Sequence, residues 1–158
     1  MKSFTVKEPI KKTLGIKTGD LFHHLWKNLN NDQFKQSVTL IRKRLKINKF
    51  SELQFKNKIV LDVGCGSGRF CVLASSLKAK KVYGIDSSKT NIDYNKKKFK
   101  KFSNIKFLFG DNTNLKIKRN FSNITISQGV IHHTTDMFKS LNELIRVTKK
   151  GGKILLLV

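Results

Sequence analysis

The stretch Ile59-Val-Leu-Asp-Val-Gly-Cys-Gly-Ser-Gly-Arg-Phe70 decides the fold. An apolar run stops abruptly in three alternating glycines, Gly64, Gly66 and Gly68, and the residues after them read as a helix. Glycine lacks a Cβ and tolerates positive φ, so such a turn lets the main chain pass close to a ligand. The N–H groups that open the following helix then face that ligand.

Outward from this turn the chain alternates strands and helices. Phe70, Leu73, Ala74 and Leu77 form the inward face of a helix, and Lys81-Val-Tyr-Gly-Ile-Asp86 is a second short strand. Ser87-Ser-Lys-Thr90 is a helix start. A third strand, Ile105 to Phe109, ends at Gly110-Asp111-Asn112, and a fourth, Asn123 to Ser127, ends at Gln128-Gly129. A helix is expected from about Asp136 with Phe138, Leu141, Leu144 and Ile145 inward, stopped by Gly151-Gly152 as a C′ signal. Lys153 to Val158 is then a fifth strand. Near-continuous apolar strands between helices predict an α/β fold whose parallel sheet is covered on both faces.

Upstream, residues 1–56 read as an N-terminal arm and helical cap, and residues 57–158 as the ligand-binding domain. Residues 1 to 20 lack a period. Phe22, Trp26 and Leu29 raise the aromatic and apolar density, and Phe34, Val38, Ile41 and Leu45 fall on one helical face. That helix either packs on the sheet or lines a substrate pocket. His23 and His24 read as surface residues.

At 158 residues and 39% hydrophobic, the chain is the size of one domain with one core. No apolar run approaches the ~18 to 20 residues that span a bilayer, so a cytoplasmic protein is expected. Cys65 and Cys71 fit neither a disulfide framework nor a four-ligand zinc site, and no metal is expected. The formal charge of +23 invites a nucleic-acid reading. However, only five of the 33 basic residues are arginine and the lysines are scattered, whereas nucleic-acid readers lean on arginine forks. Nucleic acid is therefore possible as a partner but not favoured.

Ligands of open α/β sheets bind outside the carboxyl ends of the strands. Although the chain has only ten acidic residues, Asp62, Asp86 and Asp111 fall at or beside the carboxyl ends of strands one, two and three. Carboxylates there suit a ligand with hydroxyls and positive charge. A dinucleotide fingerprint would need its third glycine at Arg69, and no Gly-Lys-Ser/Thr follows the glycines as in a Walker loop. An unphosphorylated, partly cationic nucleoside fits better, and S-adenosylmethionine has that character.

These motifs together resemble the class I S-adenosylmethionine-dependent methyltransferases. Val60-Leu-Asp-Val-Gly-Cys-Gly-Ser-Gly68 is similar to the family's first motif, Val82-Tyr-Gly-Ile-Asp86 to its acidic second-strand motif and Gly110-Asp111-Asn112 to its adenine-side motif. Ser127-Gln-Gly-Val-Ile-His-His-Thr134 and Leu144-Ile-Arg-Val-Thr-Lys-Lys-Gly-Gly152 complete the order, so the resemblance spans roughly Asn57 to Val158. The Gly-Val-Ile-His-His-Thr form resembles the branch that includes quinone-biosynthesis and other small-molecule enzymes.

The resemblance implies a Rossmann-like doubly wound sheet of order 3-2-1-4-5 with S-adenosylmethionine as cofactor. Gly64, Gly66 and Gly68 would pass beneath it, with its methionine portion near Asp62 and Cys65. Asp86, with Ser87 beside it, would take the ribose hydroxyls; Asp111 and Asn112 would face the adenine, and Gln128 and Gly129 would border the sulfonium. His132 or His133, the second favoured, would accept a proton from a small-molecule acceptor, or both would merely shape the pocket. Relatives continue with an antiparallel strand pair, so a missing C-terminal segment or a partner chain is expected to cover the last strand. The rival reading is a non-catalytic module that docks RNA or an acidic partner; a third is an RNA methyltransferase.

Overall fold

The computed structural model describes residues 28–158. The N-terminal arm, Phe22, Trp26, His23 and His24 lie outside them. Helix α1 (Asn31–Ile47) opens with a reciprocal cap. The Asn30 side chain accepts from the Asp32 and Gln33 amides, and the Gln33 side chain accepts from the Asn30 amide. Phe34, Ile41 and Leu45 are buried and Val38 packs beside them, which is the face that the spacing predicts.

After a short 3-10 turn at Glu52–Phe55 come β1 (Ile59–Val63), α2 (Arg69–Ser76), β2 (Lys81–Asp86), α3 (Lys89–Lys98) and β3 (Ile105–Phe109). Strand β4 (Ser122–Gln128), α4 (Met137–Val147) and β5 (Thr148–Leu157) complete the order. The strands form one sheet, β3-β2-β1-β4-β5, in which every neighbouring pair is parallel. This is the Rossmann-like order expected from the sequence.

Strand side chains alternate between faces, and here both faces are covered. Val60, Val82, Phe107 and Ile124 join the core beneath α1, α2 and α3, whereas Leu61, Val63 and Ile85 join Leu144 and Val147 of α4. Central β1 is therefore apolar at nearly every position. Its exception is Asp62, only 3% exposed.

Two expectations fail around α4. Phe138 and Ile145 are not inward; they are 72% and 55% exposed. The buried stripe is instead Ser140, Leu144 and Val147, with Ser140 donating to Thr134 Oγ1 at 3.0 Å. A polar residue occupies an inward position, so counting apolar residues tilts the predicted stripe sideways. Gly151-Gly152 also does not end the helix. Helix α4 stops at Val147, and both glycines lie within β5 at a register irregularity against β4. A Cβ on Gly152 would lie 2.8 Å from the Lys149 carbonyl oxygen within β5 and 3.0 Å from the Asn123 carbonyl oxygen of β4, so Gly152 serves a close backbone approach, whereas Gly151 takes φ +71° in open space.

Buried polar chemistry locks this half of the fold. Ser122, Thr125 and Thr148 hydroxyls form a chain at 2.6 Å spacings that ends on the Leu144 carbonyl. Arg146 holds Glu143 through two bonds of 2.6 and 2.7 Å and donates to the Ile117 and Leu115 carbonyls. Glu143 in turn accepts the Leu115 amide, so the basic loop before β4 is tied to α4. The ion pair with Arg146 holds the Glu143 carboxyl below the usual range.

Candidate cofactor and active site

A cavity of about 680 Å³ opens at the carboxyl edge of the sheet. Its floor is the glycine turn. Gly64, at φ +79°, donates to the Ile85 carbonyl at 2.8 Å, and the Cys65 amide donates to the same oxygen at 2.9 Å. A Cβ on Gly64 would lie 2.4 Å from Val130 Cγ1, so only glycine lets the loop slide under the β4 end. Gly66 also lines the cavity, but Gly68 does not. Gly68 begins α2 at φ +75° with Phe99 and Phe107 against it, which makes it a packing residue.

One wall is acidic. Asp86, only 6% exposed, accepts the Gly66 amide at 2.7 Å and the Ser88 amide at 2.9 Å. Two amides thereby fix its carboxylate in place. Asp111 accepts from the Thr113 amide and hydroxyl, both at 2.8 Å. Ser87 and Asn112 stand on the same wall, and among the described residues the buried Asn112 Oδ1 has no hydrogen-bond partner. An unsatisfied buried acceptor on a cavity wall is a place for a ligand's donor.

Asp62 is not on the wall. It lies beneath the turn on the face of β1 that Val60 also uses, 3.3 Å from the Cys71 Sγ that donates to it. Burial is the main influence and pushes its carboxyl up to about 7; the Cys71 bond opposes this and the nearby Asp86 adds to it. Cys65 lines the cavity. Its bond with Cys71 pulls the thiol down, but burial and the Asp86 and Asp62 carboxylates outweigh that and lift it to about 11. Burial likewise raises Cys71, so neither sulfur is a ready nucleophile.

The opposite wall comes from β4 and from helices. Gln128 and Gly129 end β4 on the cavity. The 3-10 turn Ile131–His133 then brings His132 and His133 to it, with ring centroids 4.0 Å apart. Burial and the charge of its neighbour both hold His133 below the ordinary imidazole value. Ser37, Leu40, Ile41 and Arg44 of α1 reach the cavity as well, as does Arg69 at the start of α2. Thus the cap helix lines the pocket as well as packing on the core. Among the described residues no His, Cys, Asp and Glu cluster could hold a metal, and no helix is long and apolar enough to cross a membrane.

Sequence reasoning missed the support under the floor. Asn95 is fully buried and donates to the Gly66 carbonyl at 2.6 Å; Asn91 donates to Asp86 at 3.5 Å. Two asparagines four apart on the inward face of a lysine-rich helix were the available signal.

A model of the Methyltransferase domain matches residues 54–157, the segment that contains the sheet, the turn and every cavity residue except those of α1. The chain belongs to that family. Among its relatives, a demethylmenaquinone methyltransferase of Staphylococcus saprophyticus is 33% identical over 146 residues, covering 87% of this chain and 60% of that protein. A tRNA U34 carboxymethyltransferase of Campylobacter fetus is 35% identical over 130 residues, covering 77% of this chain and 45% of that protein. The methyltransferase chain thus spans about half the length of such relatives. The fold matches Haemonchus contortus phosphoethanolamine N-methyltransferase 1, solved with phosphoethanolamine and S-adenosylhomocysteine, at a TM-score of 0.71. That match has 16% identity and covers 91% of this chain and 31% of the other.

S-adenosylmethionine is the cofactor of this methyltransferase family, and the residues present fit it. The fixed Asp86 carboxylate, the unsatisfied Asn112 oxygen and the Cβ-free turn supply acceptors and a close floor for a nucleoside.

Proposed function

We propose that the protein transfers the methyl group of S-adenosylmethionine to a small-molecule acceptor. One observation carries this reading: a single cavity joins the acidic wall, the glycine floor and the two histidines at the end of β4. Bound there, the cofactor supplies a methyl group activated by its sulfonium leaving group. Asp86 and Ser87 take the ribose, and Asp111 with Asn112 takes the adenine edge. Gly64, Cys65 and Gly66 form the floor, and Gln128 and Gly129 border the sulfur. Asp62 and Gly68 act from below, by setting the turn that carries those residues.

In-line displacement demands alignment more than acid–base help. Leu40, Val130 and Leu157 give the cavity apolar surface on which an acceptor is positioned, and His133, held largely neutral, accepts the proton of a hydroxyl or amine nucleophile. The demethylmenaquinone methyltransferase relatives support a small-molecule acceptor. A second reading, an RNA acceptor, draws on the tRNA-modifying relative and the +23 charge; its signature is acceptor affinity that falls steeply with salt. Both readings place the protein in the cytoplasm. We further place either a continuation of the chain or a partner subunit over β5, the outer strand of the sheet, where Leu156 and Leu157 are exposed.

Calorimetric titration with S-adenosylhomocysteine tests the core of the proposal. The protein binds it, and Asp86→Asn weakens binding by about tenfold to a hundredfold, the range for loss of a charge-assisted hydrogen bond to a ligand. A folded wild-type sample that gives no binding heat and no thermal shift with the ligand returns the chain to the reading of a non-catalytic docking module.

A further inference from the structure

We propose that Asn95 of α3 is a positioning residue that sets the Asp86 carboxylate, through Gly66, to hold both ribose hydroxyls of the cofactor at once. This rests on the cofactor reading above and extends it to a side chain outside the cavity lining. Asn95 is fully buried, yet only one residue, Gly66, stands between it and Asp86.

Gly66 is held on both sides. Asn95 Nδ2 donates to its carbonyl at 2.6 Å, and its own amide donates to Asp86 Oδ2 at 2.7 Å. Glycine has the widest backbone freedom of any residue, and Gly66, at φ +49°, has no side chain to limit it. The bond from α3 supplies the restraint. The other carboxylate oxygen, Oδ1, accepts the amide of Ser88, the N-cap of α3, at 2.9 Å and the Asn91 side chain at 3.5 Å. Asn91 and Asn95 are four residues apart on the buried side of α3, so one face of that helix governs both oxygens, one directly and one through the turn.

The chemistry of Asn95 favours this role over packing. Among the described residues its buried Oδ1 has no hydrogen-bond partner. Burying that acceptor opposes folding, and an apolar side chain of similar size would avoid the penalty. What the amide adds is the donor that Gly66 receives. A carboxylate has roughly four acceptor sites, so an oxygen that takes an amide can also take a hydroxyl. Its terminal torsion is soft, however, and two adjacent hydroxyls meet two oxygens only while the carboxylate is kept from turning. The Gly66 amide is one of the bonds that prevent that turn, and Asn95 aims the amide.

Calorimetric titration with S-adenosylhomocysteine and with its 2′-deoxy counterpart, which lacks one ribose hydroxyl, tests this. Wild type is expected to prefer the ribose form by about tenfold or more, the range for a hydrogen bond to a charged group. Asn95→Leu keeps the volume and removes the donor. It should weaken S-adenosylhomocysteine binding about fivefold to tenfold and shrink the preference to within about threefold. Asn95→Ala should shrink the preference equally, and it is read alone if the leucine variant does not melt cooperatively. A wild-type preference in a folded Asn95 variant overturns the proposal whatever the melting temperature does, because Asn95 then only packs. A preference kept in Asn95→Leu but lost in Asn95→Ala does so too. Asp86→Asn distinguishes this failure from failure of the cofactor reading, since it removes most of the preference if the ribose lies at Asp86. A wild type that binds neither ligand, or an Asp86→Asn protein with the preference intact, removes the reading and the proposal together.

Discussion

The two walls of the cavity place their polar groups by different means. On the acidic wall, Asp86 and Asp111 stand at or beside strand ends, where sheet register fixes the backbone and local amides fix each carboxylate. At the end of β4, Gln128 and Gly129 line the cavity and His132 and His133 sit on a short turn. In the proposed reading the first wall takes the nucleoside, and its bonded carboxylates need little ordering when the ligand arrives. The second has both histidines exposed on a short turn, and the proposed reading puts the acceptor there.

The largest effect should come from the floor that joins both walls. Gly64→Ala puts a Cβ where Val130 already lies and forces alanine to φ +79°. Strain and overpacking together cost about 2 to 4 kcal/mol, so the melting temperature falls and S-adenosylhomocysteine binding drops below detection. A variant that keeps full affinity would show that the two walls do not depend on this turn for their spacing.

A smaller effect should be confined to the second wall. Replacing both histidines with alanine is expected to lower methyl transfer about a hundredfold while cofactor affinity stays within about twofold. Because burial holds His133 low, its neutral form persists below the ordinary imidazole value, and the acidic limb of the rate profile should lie correspondingly low. If turnover survives the double change, the histidines only shape the pocket.

The contrast between the walls also explains what was legible in the sequence. A strand end is a local fact: an apolar run, then an acid or a glycine, places Asp86, Asp111 and Gln128 at the sheet edge before any tertiary structure is known. The parallel sheet and its order could be read in the same way, from strands alternating with helices and from the motif resemblance. Helical side chains are another matter. Arg44 looks like any other cation on a lysine-rich chain until α1 is laid across the turn, and nothing local marks Arg69 as facing a cavity. Around α4 the hydrophobic pattern misled because Ser140 takes an inward position and uses a hydroxyl bond there. Asn95 escaped notice for the same reason: a buried amide that grips a carbonyl reads as a surface residue in a sequence.

Asp62 separates strand-end acids that face the cavity from one that does not, and it should give the smallest change in binding. It sits at a strand end like Asp86, but beneath the floor and donated to by Cys71, so Asp62→Asn should alter S-adenosylhomocysteine affinity a few-fold at most. Its effect on stability has a definite sign. In the native state the carboxyl titrates near 7, against an ordinary value of 3.8. Between those values the folded protein keeps a proton that the unfolded chain has released, so the folded state binds more protons and stability falls as pH rises. Below that window both states are protonated and Asp62 contributes no slope; above it the full cost of the buried charge is present. The asparagine variant has no such proton to lose. Denaturant melts at steps from pH 4 to 8 should therefore show wild type losing stability relative to Asp62→Asn, by up to about 1.4 kcal/mol per pH unit, before the difference levels off. Parallel curves for the two proteins would mean that Asp62 is already ionised at pH 4 and belongs with the charged wall of Asp86 rather than with the core.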